Sequence, residues 1–315
     1  MSVHVSPDNF IRAESDLYFG NVVRDGVLGR FKHFRDFGLL DNQLVVRQNR
    51  DTLYSVAVFD LDAGPVAVTL PDAGSRFFSL QVITEDHHVP EVIYTAGRHT
   101  FDRDGIGNRY VMLVLRVLVD PTDPADLATV HALQEGVAVE QAAQGSFEIP
   151  DWDPVSQKIV RDALITLFAT LPDSRHMFGP VDEVDPVRRL IGAAAAWGGN
   201  PERDALYLTV NPDVNDGAIV HRLTVGDVPV DAFWSVTVYN ADGYFTPNAA
   251  DAYSVNSVTA ARGDDGTVTI QFGGCDGAAA NCLPVTPGWN YLVRLYRPRP
   301  EILDGSWVFP AARPV

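Results

Sequence analysis

Basic residues are scarce in this chain of 315 residues: 24 Lys and Arg stand against 41 Asp and Glu, for a formal net charge of −17 and a pI near 4.7. Phosphate backbones and anionic lipid recruit clusters of Lys and Arg, so neither nucleic acid nor a membrane is expected as a partner. No apolar run reaches the roughly 18 to 20 residues of a spanning helix, and Met1 to Phe10 lacks the apolar stretch of a secretory signal. The sequence reads as cytoplasmic. Motifs are missing too: there is no GxSxG elbow, no phosphate-binding loop and no HExxH. Gly105 and Gly107 of DGIGNRY precede a strand instead of a helix, so no nucleotide or other cofactor is expected.

Cysteine is nearly absent. Cys275 and Cys282 are the two in the chain, in the loop GGCDGAAANCLP. A small disulfide loop and a pair of free thiols both fit that spacing, and no further Cys or adjacent His completes a zinc set. Apolar residues are plentiful, at 46% against 21% charged, which is ordinary globular usage. The length suits one large or two medium domains, since single cores stop growing at roughly 250 to 300 residues.

Ser6-Pro7 opens a short helical pattern with Phe10, Ala13 and Leu17 on one face. Short β-rich runs follow at Thr52 to Phe59, Val66 to Leu70, Phe77 to Thr84, Val92 to Tyr94 and Arg109 to Val119. From Asp123 to about Ala195 the apolar period turns helical, and Met177 and Trp197 read as core residues near those helices. Strand patterns return at Ala205 to Val210, Val220 to Val225, Phe233 to Tyr239, Ser257 to Ala261, Thr267 to Phe272 and Trp289 to Tyr296.

The two β-rich regions resemble each other. NRDTLYS at Asn49 to Ser55 answers ERDALYL at Glu202 to Leu208; RFFSLQV at Arg76 to Val82 answers AFWSVTV at Ala232 to Val238; RYVMLVLRV at Arg109 to Val117 answers NYLVRLYRP at Asn290 to Pro298. The expected fold is mainly β with a helical insert: two related β-sandwich or jelly-roll units packed together. Residues 1–120 would form the first with its leading helix, 121–200 the insert, and 201–315 the second.

VVRQNRDTLYS, ITEDHHVPEVIY, DGYFTPN and RLYRPRPEILDGSWVFP resemble the bacterial domain-of-unknown-function families numbered 1254, for the N-terminal half, and 1214, for the C-terminal half. The likeness runs from about Val5 to Pro310. It implies paired β-sandwich domains with intervening helices, and no catalytic mechanism that can be carried over residue by residue.

Arg50, Asp51 and Tyr54 recur as Arg203, Asp204 and Tyr207, which favours a fold-determining Arg-Asp fork at a strand entry. Arg47 and Asn49 have no such counterparts. Strand alternation would place Arg47, Asn49 and Asp51 on one face, able to bind a carboxylate or phosphate through Arg47, with Arg50 and Tyr54 on the other; a solvated sheet face explains the same pattern. Glu85-Asp86-His87-His88 with Glu91 is a second asymmetric feature, matched in the other half by the plain turn Asn240-Ala241-Asp242-Gly243-Tyr244. It could supply a general base held by an acid, a divalent metal site including His33, or a polar surface loop. Of Trp234, Tyr244, Phe245, Trp289 and Tyr296, mostly expected in the core, Tyr244 and Phe245 are the candidates for stacking on a ligand.

These readings lead to a cofactor-independent enzyme of hydrolase or lyase type acting on a small, anionic or aromatic molecule. His87 would move the proton, Glu91 or Asp51 would orient it, and Arg47, Asn49, Arg50, Tyr54 and Tyr244 would bind substrate, with no metal. The alternatives are a non-catalytic carbohydrate-binding or assembly module working through Tyr244, and a metal-dependent enzyme at the His87 cluster. A homodimer is compatible with edge strands that pair between subunits.

Overall fold

The computed structural model describes residues 2–38, 40, 43, 46–275 and 280–315. Val45, which opens the VVRQNRDTLYS stretch, and part of the loop between the cysteines lie outside the described residues. The chain divides into two compact units, one formed by Met1–Arg35 with Leu53–Glu202 and one by Asp36–Thr52 with Arg203–Val315.

The first unit contains α1 (Phe10–Arg24), β1 (Lys32–His33), β2 (Thr52–Asp60), β3 (Val66–Leu70), β4 (Phe78–Thr84), β5 (Val92–Ile93), β6 (Gly97–Phe101), α2 (Arg103–Ile106), β7 (Tyr110–Leu118), α3 (Pro124–Glu135), β8 (Ala138–Gln141), α4 (Pro154–Phe168) and α5 (Pro186–Ala195). Its larger sheet has the order β1-β2-β7-β4-β5, its smaller one β6-β3-β8. Val58, Ile83, Tyr110, Met112 and Val114 from the larger sheet form one apolar cluster with Phe19 of α1 and Val89, and Trp197 packs against it. The starts of α3, α4 and α5 share one device. In each an Asp (Asp123, Asp153, Asp185) accepts backbone N–H groups of the first turn and a Pro follows it, because proline has no N–H to leave unpaired and its φ already suits a helix.

α1 starts later than Ser6-Pro7 suggests. Asn9 occupies the cap position without a capping side-chain bond; its Oδ1 instead accepts the Ser6 N–H at 2.9 Å, which closes a turn ahead of the helix. Leu17 is exposed, while Glu14, Ser15 and Asp16 are buried beside Phe10, Ala13 and Phe19. The inward face of this helix is therefore partly acidic, because each of those polar groups finds a partner inside. The insert expected over 121–200 is not purely helical either: β8 lies in it and pairs with β3.

The second unit contains β9 (Ala205–Val210), β10 (His221–Val225), β11 (Trp234–Tyr239), β12 (Ser254–Asn256), β13 (Val268–Phe272), β14 (Cys282–Leu283), β15 (Asn290–Tyr296), α6 (Pro300–Leu303) and β16 (Arg313–Pro314). Two four-stranded sheets, β12-β11-β15-β9 and β14-β13-β10-β16, send Trp234, Val236, Val293 and Leu295 from one and Leu223, Ile270 and Phe272 from the other into a single apolar cluster. The strand expected at Ser257 to Ala261 falls earlier, at β12. Asn256 Oδ1 accepts the N–H groups of Val258 and Thr259 and turns the chain there. Cys275 and Cys282 are joined in a disulfide, with Cα atoms 5.7 Å apart.

The units share one order of strands. In the first, the run β2-β7-β4-β5 and the pair β3-β6 alternate along the chain; in the second, β9-β15-β11-β12 and β10-β13 do the same. Among the described residues, no helix is long and apolar enough to cross a membrane.

Candidate functional site

Arg47, Asn49, Arg50 and Asp51 belong to the second unit and precede β2, so strand alternation does not apply to them. They form part of a strap whose backbone and side chains face the β12-β11-β15-β9 sheet. Arg294, 3% exposed, rises from β15 and donates to the carbonyls of Arg47 at 2.9 Å and Gln48 at 3.4 Å, the Thr237 hydroxyl at 2.8 Å and the Tyr239 hydroxyl at 2.8 Å. Tyr239 in turn donates to the Gln48 carbonyl at 2.8 Å. Asn49 donates to the Tyr296 hydroxyl at 3.0 Å, and Asp51 Oδ1 accepts from Ser254 at 3.0 Å. Arg50 makes no fork with Asp51; its guanidinium lies 5.1 Å from the Phe37 ring, 5.1 Å from Tyr253 and 5.7 Å from Phe245. The charges in this stretch therefore fasten an irregular segment over a sheet.

The acidic and histidine-rich turn between β4 and β5 belongs to the first unit. His87 N–H donates to the Thr84 carbonyl at 2.8 Å, which closes the turn and holds His87 at a positive φ of 61°, a conformation uncommon for a residue with a side chain. The His87 ring is 1% exposed. It stacks on Trp197 at 5.1 Å and meets the edge of Phe178 at 5.8 Å. Its Nε2 accepts the Gly198 N–H at 2.9 Å, so the proton of the neutral ring is on Nδ1. That Nδ1 has no partner. Burial, with the nearby Arg189 charge, pushes the His87 pKa down to about 3.

Beside His87 lies a network of opposed charges. Arg12 of α1 meets Glu85 at 2.9 Å and also bonds Asp86, and Asn108 donates to Asp86 at 2.8 Å. Glu85 is 6% exposed. Burial pushes its pKa up to about 7, Arg12 opposing and Asp16 adding to the rise. Asp16, fully buried, is raised as well by burial, against the Trp152 N–H that its Oδ2 accepts at 2.7 Å. The neighbouring Asp16 charge adds to the rise at Glu85, so Glu85 holds its proton more readily than a free carboxylate does. Glu14, the neighbouring buried acid, is fully compensated by Arg161 at 2.6 and 2.7 Å and by Gln157 at 2.9 Å.

The candidates read from the sequence thus divide between the units. His87, Glu91 and Tyr54 fall in the first; Arg47, Asn49, Arg50, Asp51 and Tyr244 fall in the second. Glu91 is exposed, and the His87 ring is oriented by Gly198, not by Glu91 or Asp51. Its low pKa also unsuits it as a general base near neutrality, since burial penalises the charged form. His33 bonds Ser55 Oγ at 2.8 Å on β1, at the opposite sheet edge from the β4–β5 turn, and among the described residues no three metal-ligating side chains converge. Phe245, like Trp234, Trp289 and Tyr296, is buried in the core, and Tyr244 is half-buried. The sequence reading missed Arg12, Asp16 and Arg189. The available signal was the run Glu14-Ser15-Asp16 between the apolar residues Ala13 and Phe19 of α1; Arg189, in a basic pair at the start of α5, gave none.

Residues 28–105 match the family described as Protein of unknown function (DUF1254), and residues 204–300 match Protein of unknown function (DUF1214). No curated protein matches the sequence. Among solved structures, the VPA0106 protein from Vibrio parahaemolyticus is similar with a TM-score of 0.74 at 17% identity, covering 97% of this chain and 96% of its own. An uncharacterised protein from Burkholderia cenocepacia aligns with a TM-score of 0.56 at 13% identity, over 96% of this chain and 87% of its own. At such identities the likeness concerns the fold. The chain joins a DUF1254 region in its N-terminal half to a DUF1214 region in its C-terminal half, the two families its motifs resemble.

Proposed function

We propose that the protein is a cofactor-independent enzyme of hydrolase or lyase type, acting on a small anionic molecule at the β4–β5 turn of the first unit. The observation that carries this reading is the buried Asp16–Glu85 pair set against Arg12, with Arg12 and Asp86 reaching solvent. An acid that titrates near neutrality exchanges its proton at little cost, which is what general acid–base catalysis needs. Glu85 gives or takes the proton, the neighbouring Asp16 charge raises its pKa, and Arg12 steadies the negative charge of the two acids. Glu85 replaces His87 in the role the sequence suggested.

The test is a panel of small carboxylate-bearing esters and β-substituted acids, assayed against the parent and Glu85→Gln. Loss of a general acid–base group lowers turnover by about 10²- to 10⁴-fold. Turnover within tenfold of the parent in a folded Glu85→Gln protein defeats the reading. The non-catalytic module is the second reading, favoured by the half-buried ring of Tyr244; it requires saturable glycan or protein binding that Tyr244→Ala removes.

In the same proposal the two units are copies of one β-sandwich. Their shared strand order and the single apolar cluster between the two sheets of the second unit support it. The Cys275–Cys282 bond favours an oxidising compartment over the cytoplasm, which a thiol count on protein taken from its native cells would test.

A further inference from the structure

We propose that the outer face of α4 is a self-association surface, on which a second copy of this chain lays its own α4 antiparallel. The inner face of the helix is already committed: Ser156, Gln157 and Leu164 are buried there, and Val160 and Phe168 pack against the cluster of Phe10, Ala13, Leu164 and Ile191. The outer face departs from the polar surface that a helix normally turns to water. Val155 is 67% exposed, Ile159 66% and Ile165 45%, with exposed Leu167 at their flank. Among the described residues, no other helix or strand exposes more than one large apolar side chain. Single exposed apolar residues are ordinary, whereas a gathered set marks an interaction face.

The charge order on the same face selects a second copy as the occupant. Lys158 and Asp162 lie among the apolar residues and pair with each other within the helix, while Arg161, towards the inner side, is taken by Glu14. At 3.6 residues per turn, Val155, Lys158, Asp162 and Ile165 fall within about 80° of one another around the axis. Positions 155 and 165 are symmetric about position 160, and so are 158 and 162. A two-fold axis there sets Val155 against Ile165 and Lys158 against Asp162 of the second copy, each contact made twice, with Ile159 beside the axis. Such a patch complements itself, as an isologous interface requires; a parallel pairing would instead set like charge against like. The chain carries a net charge of −17, so two copies repel over most of their surface, but here one cation and one anion per copy alternate across the contact. A single helix pair buries less than the roughly 800 Å² per partner of a standard interface, so the dimer is of the weak, reversible kind.

Sedimentation velocity of the full chain, from micromolar to millimolar concentration, tests the proposal. The substituted side chains are all exposed, so each variant should melt within about 2 °C of the parent. The parent should show a concentration-dependent monomer–dimer equilibrium. Ile159→Glu, which places like charges beside the axis, should leave only monomer. Lys158→Glu sets an acid against Asp162 and should weaken association about tenfold or more; Lys158→Glu combined with Asp162→Lys should restore it. For the register, Val155→Cys and Ile165→Cys proteins are mixed and oxidised. The disulfide should join 155 of one copy to 165 of the other, because 155 and its own symmetry mate stand about 15 Å apart along the helices. A parent that stays monomeric at millimolar concentration, a dimer that persists in Ile159→Glu, a double reversal no better than Lys158→Glu, or cross-linking of 155 to 155 ahead of 155 to 165 would each overturn the proposal.

Discussion

Each unit buries an arginine in the middle of its main sheet, and the two do the same work with different company. Arg116 on β7 stands opposite Ser79 of β4, and Arg294 on β15 stands opposite Ser235 of β11. Each reaches the residue two positions on: Arg116 bonds Gln81 at 2.5 Å and Arg294 bonds Thr237 at 2.8 Å. Each also captures backbone carbonyls of an irregular segment laid over the sheet, Gly198 in the first unit and Arg47 and Gln48 in the second. A guanidinium offers five donors in a rigid fork, so one side chain can pin a segment that has no ladder of its own. The units then differ in the turn that follows the serine-bearing strand. In the second unit, Asn240 Oδ1 accepts the N–H groups of Asp242 and Tyr244 and closes the turn with uncharged bonds. In the first, the turn holds Glu85, whose pKa burial raises towards neutrality, and two histidines whose Nδ1 atoms have no partner. Unmatched groups occur in the second unit too, on Arg47, Asp51 and Ser235. The two units share a strand order, and buried titratable side chains gather at the turn of the first.

The largest effects should come from the two arginines. Arg294→Met leaves two carbonyls and two hydroxyls without their donor and is expected to cost about 3–5 kcal/mol in urea unfolding. Arg116→Met, which removes the donor to Gln81 and to the Gly198 carbonyl, is expected to cost about 2–3 kcal/mol. Amide exchange should rise around residues 47–49 in the first variant and 198–199 in the second. Equal losses without local exchange would mean that the parallel between the two arginines is only geometric.

Acidity should separate the units next. Glu85 is raised from 4.5 to about 7 in the folded chain, so the folded state holds a proton that the unfolded state has released; stability falls as pH rises between about 4.5 and 7. His87 is lowered from 6.5 to about 3, so the unfolded state binds a proton that the folded state refuses, and stability falls as pH drops from 6.5 towards 3. The two slopes oppose each other and favour an optimum between them. The two slopes largely cancel between about pH 4.5 and 6.5, so unfolding free energy measured from pH 4 to pH 8 should show a plateau with net falls of about 1 kcal/mol or less on either side. Glu85→Gln should remove the alkaline fall and unmask the His87 slope, about 1.4 kcal/mol per pH unit, below pH 6.5; a variant whose profile matches the parent's would remove Glu85 from the account.

Much of this frame was legible in the sequence. The strands at Ala205–Val210 and Val66–Leu70 fall at the bounds their apolar runs and turn residues set, though their burial does not alternate. β6 escaped because Gly97–Phe101 buries one residue in five, too few for an alternating pattern. The matching of RYVMLVLRV to NYLVRLYRP set Arg116 against Arg297, an offset of 297 − 116 = 181; strand register sets it against Arg294, an offset of 294 − 116 = 178. Sequence similarity followed apolar residues there and slid past the buried charge. The site was half legible for a related reason. His87 and Glu85 drew notice as a charged cluster, but Asp16 and Arg189 reach that cluster through tertiary packing of α1 and α5, which no spacing along the chain encodes.

The smallest expected effect concerns a feature of the second unit that the first lacks, since among the described residues the Cys275–Cys282 bond is the one covalent link across a loop. β14 pairs with β13 through two residues, Cys282 opposite Gln271 and Leu283 opposite Phe272, and so short a strand gains little from its ladder. Leu283 is fully buried in the apolar cluster, which ties this edge to the core from one side while the disulfide ties it from the other. Closing a loop of this length stabilises by about 2 kcal/mol in the chain-entropy account. The paired substitution Cys275→Ser with Cys282→Ser should therefore lower stability by about that amount, with faster exchange along β13 and β14 and none in the first unit. If the doubly substituted protein is as stable as the parent, Leu283 burial alone holds the edge, and the disulfide serves something other than the stability of its unit.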